Sequence, residues 1–200
     1  MKNLFLSFFI LLLLTTSCKN SAEDYFKQGN DSLIVGADKA SIKLYNKAIA
    51  LNPNHAGAYC NRGSAKIKIQ DYKGALQDLE KANKLDPKMK EVYYSLGLVK
   101  TYLKDYAGAI KTYSAGISLD PKLAAGYFGR AEVEVETKNY KEALADYNQA
   151  ILLAPKGANY QSRGLLKIEL KDKDGACADF HKALELGYKW AKDDIEKNCK

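Results

Sequence analysis

Along most of the chain, apolar residues return at helical spacing, broken by short polar turns. Ala143, Tyr147, Ala150 and Ile151 stand at i, i+4, i+7 and i+8, one face of a helix. Asn52-Pro53, Asp86-Pro87, Asp120-Pro121 and Ala154-Pro155 predict helix ends, because a residue before proline avoids the α region. Gln70-Asp71-Tyr72 and Lys138-Asn139-Tyr140 predict tight turns between paired helices. One segment differs. Leu4 to Leu14 is apolar apart from Ser7, and too short to span a bilayer, which takes roughly 20 residues.

The helical pattern repeats. Pro53, Pro87, Pro121 and Pro155 lie 34 residues apart. Tyr25, Tyr59, Tyr93, Tyr127 and Tyr160 keep the same step, the last by 33. So do the small residues Gly29, Gly63, Gly97, Ala131 and Gly164, and then Ser41, Ala75, Ala109, Ala143 and Ala176. Tyr45, Leu79, Tyr113, Tyr147 and Phe180 follow, with Ala48, Ala82, Gly116, Ala150 and Ala183 three residues further on. This arrangement resembles the tetratricopeptide repeat, TPR. The resemblance implies an all-α fold, a right-handed α-solenoid of five helix hairpins: 22–55, 56–89, 90–123, 124–156 and 157–188. A single hairpin cannot bury its apolar face, so neighbours must stack. Tyr188 stands where the last copy would have its closing proline. Beyond it, residues 189–200 hold Trp190, Ala191 and Ile195 among charges and predict a capping helix with a polar outer face.

Lys2, the Leu4–Leu14 run and the small residues Thr15, Thr16 and Ser17 before Cys18 have the form of an export signal over residues 1–17. The segment resembles a bacterial lipoprotein signal, in which the cysteine is acylated and becomes the first mature residue. Thr15 departs from that pattern, which has Leu, Val or Ile there. Cleavage after Ser17 with an unmodified Cys18 is the alternative. Acylation would make Cys18, with the short tether 18–21, a stable membrane anchor. Lys19 in place of Asp implies the outer membrane by the same resemblance.

Composition narrows the function. Net charge is +7, but 24 acidic residues are interspersed among 31 basic ones, so no basic stripe for nucleic acid forms. The 46% hydrophobic content suits a packed core rather than disorder. Four cysteines and two histidines are too few and too scattered for a zinc site. No glycine loop suited to phosphate is present, and neither a metal nor a small-molecule cofactor is expected. Glu132, Glu134 and Glu136 are expected to splay apart on a solvated helix face.

Three arginines, Arg62, Arg130 and Arg163, each precede the small residue of a repeat. Sixteen residues after each comes Asp78, Asp146 or Asp179. The copies with Gln28 and Leu96 have Leu44 and Thr112 instead, so Arg and Asp occur together or not at all. A structural ion pair within a copy or to its neighbour is expected, since the guanidinium fork binds a carboxylate at two points. An oxidising envelope would allow a disulfide between Cys177 and Cys199, worth about 3 kcal/mol for a loop of that length. Cys60 is left over, either as a buried or groove-wall thiol or as the nucleophile of an enzyme for which no base is evident.

In the TPR family the concave wall comes from the first helix of each hairpin. Carried over, the partner-binding groove consists of Phe26, Asn30, Leu33 and Ile34; Cys60 and Ile67; Tyr94, Leu98 and Tyr102; Phe128 and Val135; Leu165 and Ile168. Tyr94, Leu98 and Tyr102 form one stripe at i, i+4 and i+8, suited to anchoring a peptide. Asn30 and Asn61 match the asparagines of the carboxylate clamp of some cochaperone TPRs. Phe26, Glu91 and Ser95 stand where its cations would be, so that clamp is not expected. The resemblance implies a non-catalytic scaffold in the bacterial envelope whose partner is an envelope protein or peptide. Lipidated TPR proteins of this kind serve outer-membrane assembly, secretin piloting and control of wall hydrolases. A self-associating structural role without a peptide ligand is the alternative.

Overall fold

A computed structural model describes residues 20–200. Residues 1–19, with the expected signal segment and Cys18, lie outside the described residues. Eleven helices run through the described chain: α1 (Ala22–Ile34), α2 (Asp38–Leu51), α3 (Ala56–Lys68), α4 (Tyr72–Leu85), α5 (Lys90–Tyr102), α6 (Tyr106–Leu119), α7 (Ala124–Glu136), α8 (Tyr140–Leu153), α9 (Gly157–Glu169), α10 (Lys173–Glu185) and α11 (Ala191–Asn198). Consecutive helices pack as hairpins, and each hairpin packs on the next. The first helices α1, α3, α5 and α7 also touch in series and form one wall; α7 and α9 approach each other least. No described helix is long and apolar enough to cross a membrane.

The helix ends follow from local chemistry. Ser21 and Asp24 form a reciprocal cap at the start of α1, and those hydrogen bonds lower the Asp24 carboxyl pKa. Asp71, Asp105 and Asp172 cap α4, α6 and α10 by accepting from the N–H of Gly74, Gly108 and Gly175, each at 3.0 Å. Asn52, Asp86 and Asp120 end α2, α4 and α6 in extended conformation. Their side chains accept from the N–H of Asn54, Lys88 and Lys122 and so turn the chain over the proline. Within each hairpin the turn needs one left-handed residue. Gly36 supplies it in the first copy; Gln70, Lys104, Lys138 and Lys171 supply it in the others, at φ of 61° to 64°. Glycine takes this conformation without strain and these four residues do not.

The core is a row of side chains from second helices seated on small residues of first helices. Tyr45 lies over Gly29, Leu79 over Gly63 and Phe180 over Gly164. Tyr113 is held from two sides: a Cβ at Gly97 or Gly129 would fall 2.5 Å from its ring. Tyr147 packs with Ala131 and Ala143. Cys177 and Cys199 are joined in a disulfide that ties α11 to α10. Gly187, at φ 83°, turns the chain between α10 and α11, where the other copies have Asx-Pro or Ala-Pro.

Two substitutions should move stability in opposite directions. Gly97→Ala leaves no room for the Tyr113 ring and should cost about 1–3 kcal/mol. Lys104→Gly relieves the left-handed residue and should add about 0.5–1 kcal/mol. Urea unfolding of both variants checks this; equal midpoints would contradict it.

Candidate functional site

The arginine–aspartate pairs brace the wall. Arg62 Nε and Nη2 donate to Asp78 at 2.8 and 2.5 Å. Arg130 does the same to Asp146 at 2.6 and 2.8 Å, and Arg163 to Asp179 at 2.9 and 2.5 Å. Each pair joins the two helices of one hairpin. The remaining Nη1 reaches the preceding hairpin and donates to Asn46, Ser114 or Asn148 at 2.7 to 2.8 Å. Each guanidinium also lies over a leading tyrosine, Tyr59, Tyr127 or Tyr160. With all three guanidinium nitrogens donating within the chain, these arginines are architectural. The third contact, to the previous hairpin, was not legible in the Arg–Asp spacing.

A lysine one turn after the arginine completes two of the pairs: Lys66 meets Asp78 at 2.8 Å and Lys167 meets Asp179 at 2.9 Å. In the fourth copy that position is Glu134. Glu134 was expected on a solvated face; the structure buries it, and only Glu132 and Glu136 are exposed. The i, i+2 spacing puts the three on different sides of α7, and the side holding Glu134 faces α8. One carboxylate oxygen has no hydrogen-bond partner. Burial, with Asp146 close by, pushes the Glu134 pKa up to about 7.

The expected groove residues divide by burial. Cys60, expected as a wall residue, is 4% exposed and packs in the core with Leu79 and Val99. Burial pushes its thiol up to about 11, so the nucleophilic thiolate is scarce near neutral pH. Phe26 packs on Tyr45 and His55, Ile67 on the Cys60 cluster, and Phe128 and Val135 around Tyr147. Tyr94 leans on Tyr113, with ring centroids 6.3 Å apart. Leu33, Leu98 and Ile168 are half-buried. Three residues remain open to solvent: Ile34 at 83%, Tyr102 at 51% and Leu165 at 42%. Tyr102 is held by stacking on Tyr72, with centroids 4.7 Å apart. The Tyr94–Leu98–Tyr102 stripe therefore presents mainly its Tyr102 end. Asn61 Nδ2 and Tyr45 O–H both donate to Asn30 Oδ1, at 2.7 and 2.9 Å, so the two asparagines hold each other.

Toward the C-terminus the wall opens between α7 and α9. A hollow of about 390 Å³ is lined there by Val135, Leu165, Ile168, Glu132, Glu169 and, from α11, Asp194. The repeat pattern carries Glu132 and Glu169 to this wall together with the aliphatic residues; Asp194, which α11 brings in from outside the repeats, was missed. Among the described residues, no group of three or more His, Cys, Asp or Glu is gathered as a metal site.

Two family models, both described as tetratricopeptide repeat, match residues 44–77 and 94–159. The chain is built of tetratricopeptide repeats. Among solved structures, the crystal structure of MamA is similar at a TM-score of 0.69 and 27% identity, over 82% of this chain and 96% of that one. A tetratricopeptide repeat protein from Parabacteroides merdae gives 0.72 and 24%, over 92% and 73%. YrrB, a TPR protein with an unusual peptide-binding site, gives 0.64 and 20%, over 83% and 86%. No curated protein matches the sequence. TPR proteins are in general protein-interaction scaffolds, presenting a concave surface formed by the stacked repeats.

Glu134 gives this TPR array a pH dependence. Its folded pKa of about 7 lies above the ordinary 4.5, so the folded chain binds that proton more tightly than the unfolded chain. The stability it contributes is present below 4.5 and is lost as pH rises toward 7. Glu134→Lys, which restores the lysine of the second, third and fifth copies, should raise the melting temperature at pH 8 and flatten that slope. Thermal melts between pH 4.5 and 8 check it, and parallel profiles for variant and parent would contradict it.

Proposed function

We propose that this chain is a non-catalytic adaptor of the bacterial cell envelope, lipid-anchored through Cys18, that binds a protein or peptide in its concave TPR groove. The observation that carries the binding reading is the set of exposed apolar residues on the first helices of the hairpins. Ile34, Tyr102 and Leu165 come from three different first helices, and Tyr102 is preset by Tyr72. Preset aromatic anchors lose little freedom when a partner docks. The peptide-binding site of YrrB, a protein of the same fold, is in keeping with this use. The anchoring reading rests on the order of Lys2, the apolar run and Cys18. The paired cysteines Cys177 and Cys199 suit an oxidising compartment.

Site-specific photo-crosslinking in cells tests the groove. A crosslinker at Tyr102 should give one partner band, and one at the exposed Lys81 of α4 should give none. Equal labelling from both positions would remove the groove from the proposal. Cys18→Ser should shift the protein from the membrane pellet to the soluble fraction; unchanged sedimentation would remove the anchor.

A further inference from the structure

We propose that the hollow between α7, α9 and α11 receives a cationic peptide segment, an aliphatic side chain flanked by lysine or arginine. This deepens the groove-binding reading above and rests on it. At about 390 Å³ the hollow is within the size range of ligand pockets. Its floor is aliphatic: Val135, Leu165, Leu166 and Ile168. Its rim carries the carboxylates of Glu132, Glu169 and Asp194. None of the three is ion-paired among the described residues. Two are oriented by the wall itself: Tyr147 O–H donates to Glu132 Oε1, and Gln161 Nε2 donates to Asp194 Oδ2 at 2.9 Å. Lys197 also lines the hollow, as a cation already in place.

Charge complementarity selects the occupant. The chain carries +7 overall, so three unpaired carboxylates against one lysine reverse the local sign. A concave, partly apolar surface concentrates that field, and a cation seated there is more strongly held than on an open face. The N-terminal end of the same wall is different: it offers Asn30, Ser64 and Lys68, and Lys68 is already within 3.5 Å of Asp38. The hollow lies where α7 and α9 approach least, so an inserted side chain meets space rather than packed core.

Fluorescence anisotropy with the full-length chain in detergent tests the proposal, using three labelled peptides of equal length. One alternates Leu and Lys, one alternates Ser and Lys, and one alternates Leu and Glu. The Leu–Lys peptide should bind tightest. The Glu132→Gln, Glu169→Gln double variant should weaken it roughly tenfold, as expected for two exposed pairs. Lys197→Ala should tighten it about twofold. Because these changes act in opposite directions on exposed side chains, a folding defect cannot imitate both. Equal affinity for the Leu–Glu peptide, an unchanged double variant or no binding of the Leu–Lys peptide would each overturn the proposal. So would concentration-dependent sedimentation abolished by the double variant, which would make a second copy the occupant. In all four cases a partner band from Tyr102 would leave the adaptor reading standing; its loss would end both.

Discussion

Everything in this solenoid depends on the seating of a bulky second-helix side chain on a small first-helix residue. Tyr45 on Gly29, Leu79 on Gly63 and Phe180 on Gly164 set how closely the two helices of a hairpin approach. Tyr113 does more, because Gly97 and Gly129 grip its ring from adjacent hairpins. Interiors packed at this density do not give way to an added methyl group. The same contact therefore sets the spacing within hairpins and, at Tyr113, the step between them. Burial pushes the phenols of Tyr45, Tyr113 and Tyr147 above their ordinary pKa, which keeps them uncharged.

Around that apolar row, polar contacts hold hairpin to hairpin. The arginines satisfy an aspartate inside their own hairpin and an amide or hydroxyl in the previous one. The third copy manages without: Leu96 replaces the arginine and is buried, while Lys100 donates to Thr112 at 3.2 Å. A buried pair that loses one member leaves an uncompensated charge, which is why the two residues are present or absent together. Glu134 is the exception, an acid in a lysine's place beside an existing carboxylate. Nothing in the packing of α7 and α8 explains why that copy carries it.

Rigidity of the wall matters for what it can recognise. Most apolar residues carried over to the groove are spent on packing within the chain, as with Phe26 on Tyr45 and Phe128 on Tyr147. What is left for a partner is sparse: Ile34, Tyr102, Leu165 and the carboxylate-rimmed hollow at the C-terminal end. The disulfide contributes to that end by fastening α11, which brings Asp194 and Lys197 to the rim.

The sequence by itself determined the repeat, its hairpins and their ends. Those features rest on interactions between residues near in the chain: Asx-Pro turns, Asp caps and the 34-residue step that returns tyrosine to one face. Arg–Asp partnership was legible too, because both members vanish together in two copies. Only the tertiary structure decided which wall residues stay open, that Cys60 and Glu134 are buried, and that α7 and α9 part to leave a hollow. Periodicity assigns a residue to a helix face. How deep it lies depends on the separation of that helix from its neighbours and on the size of the side chains they bring, which the period does not carry.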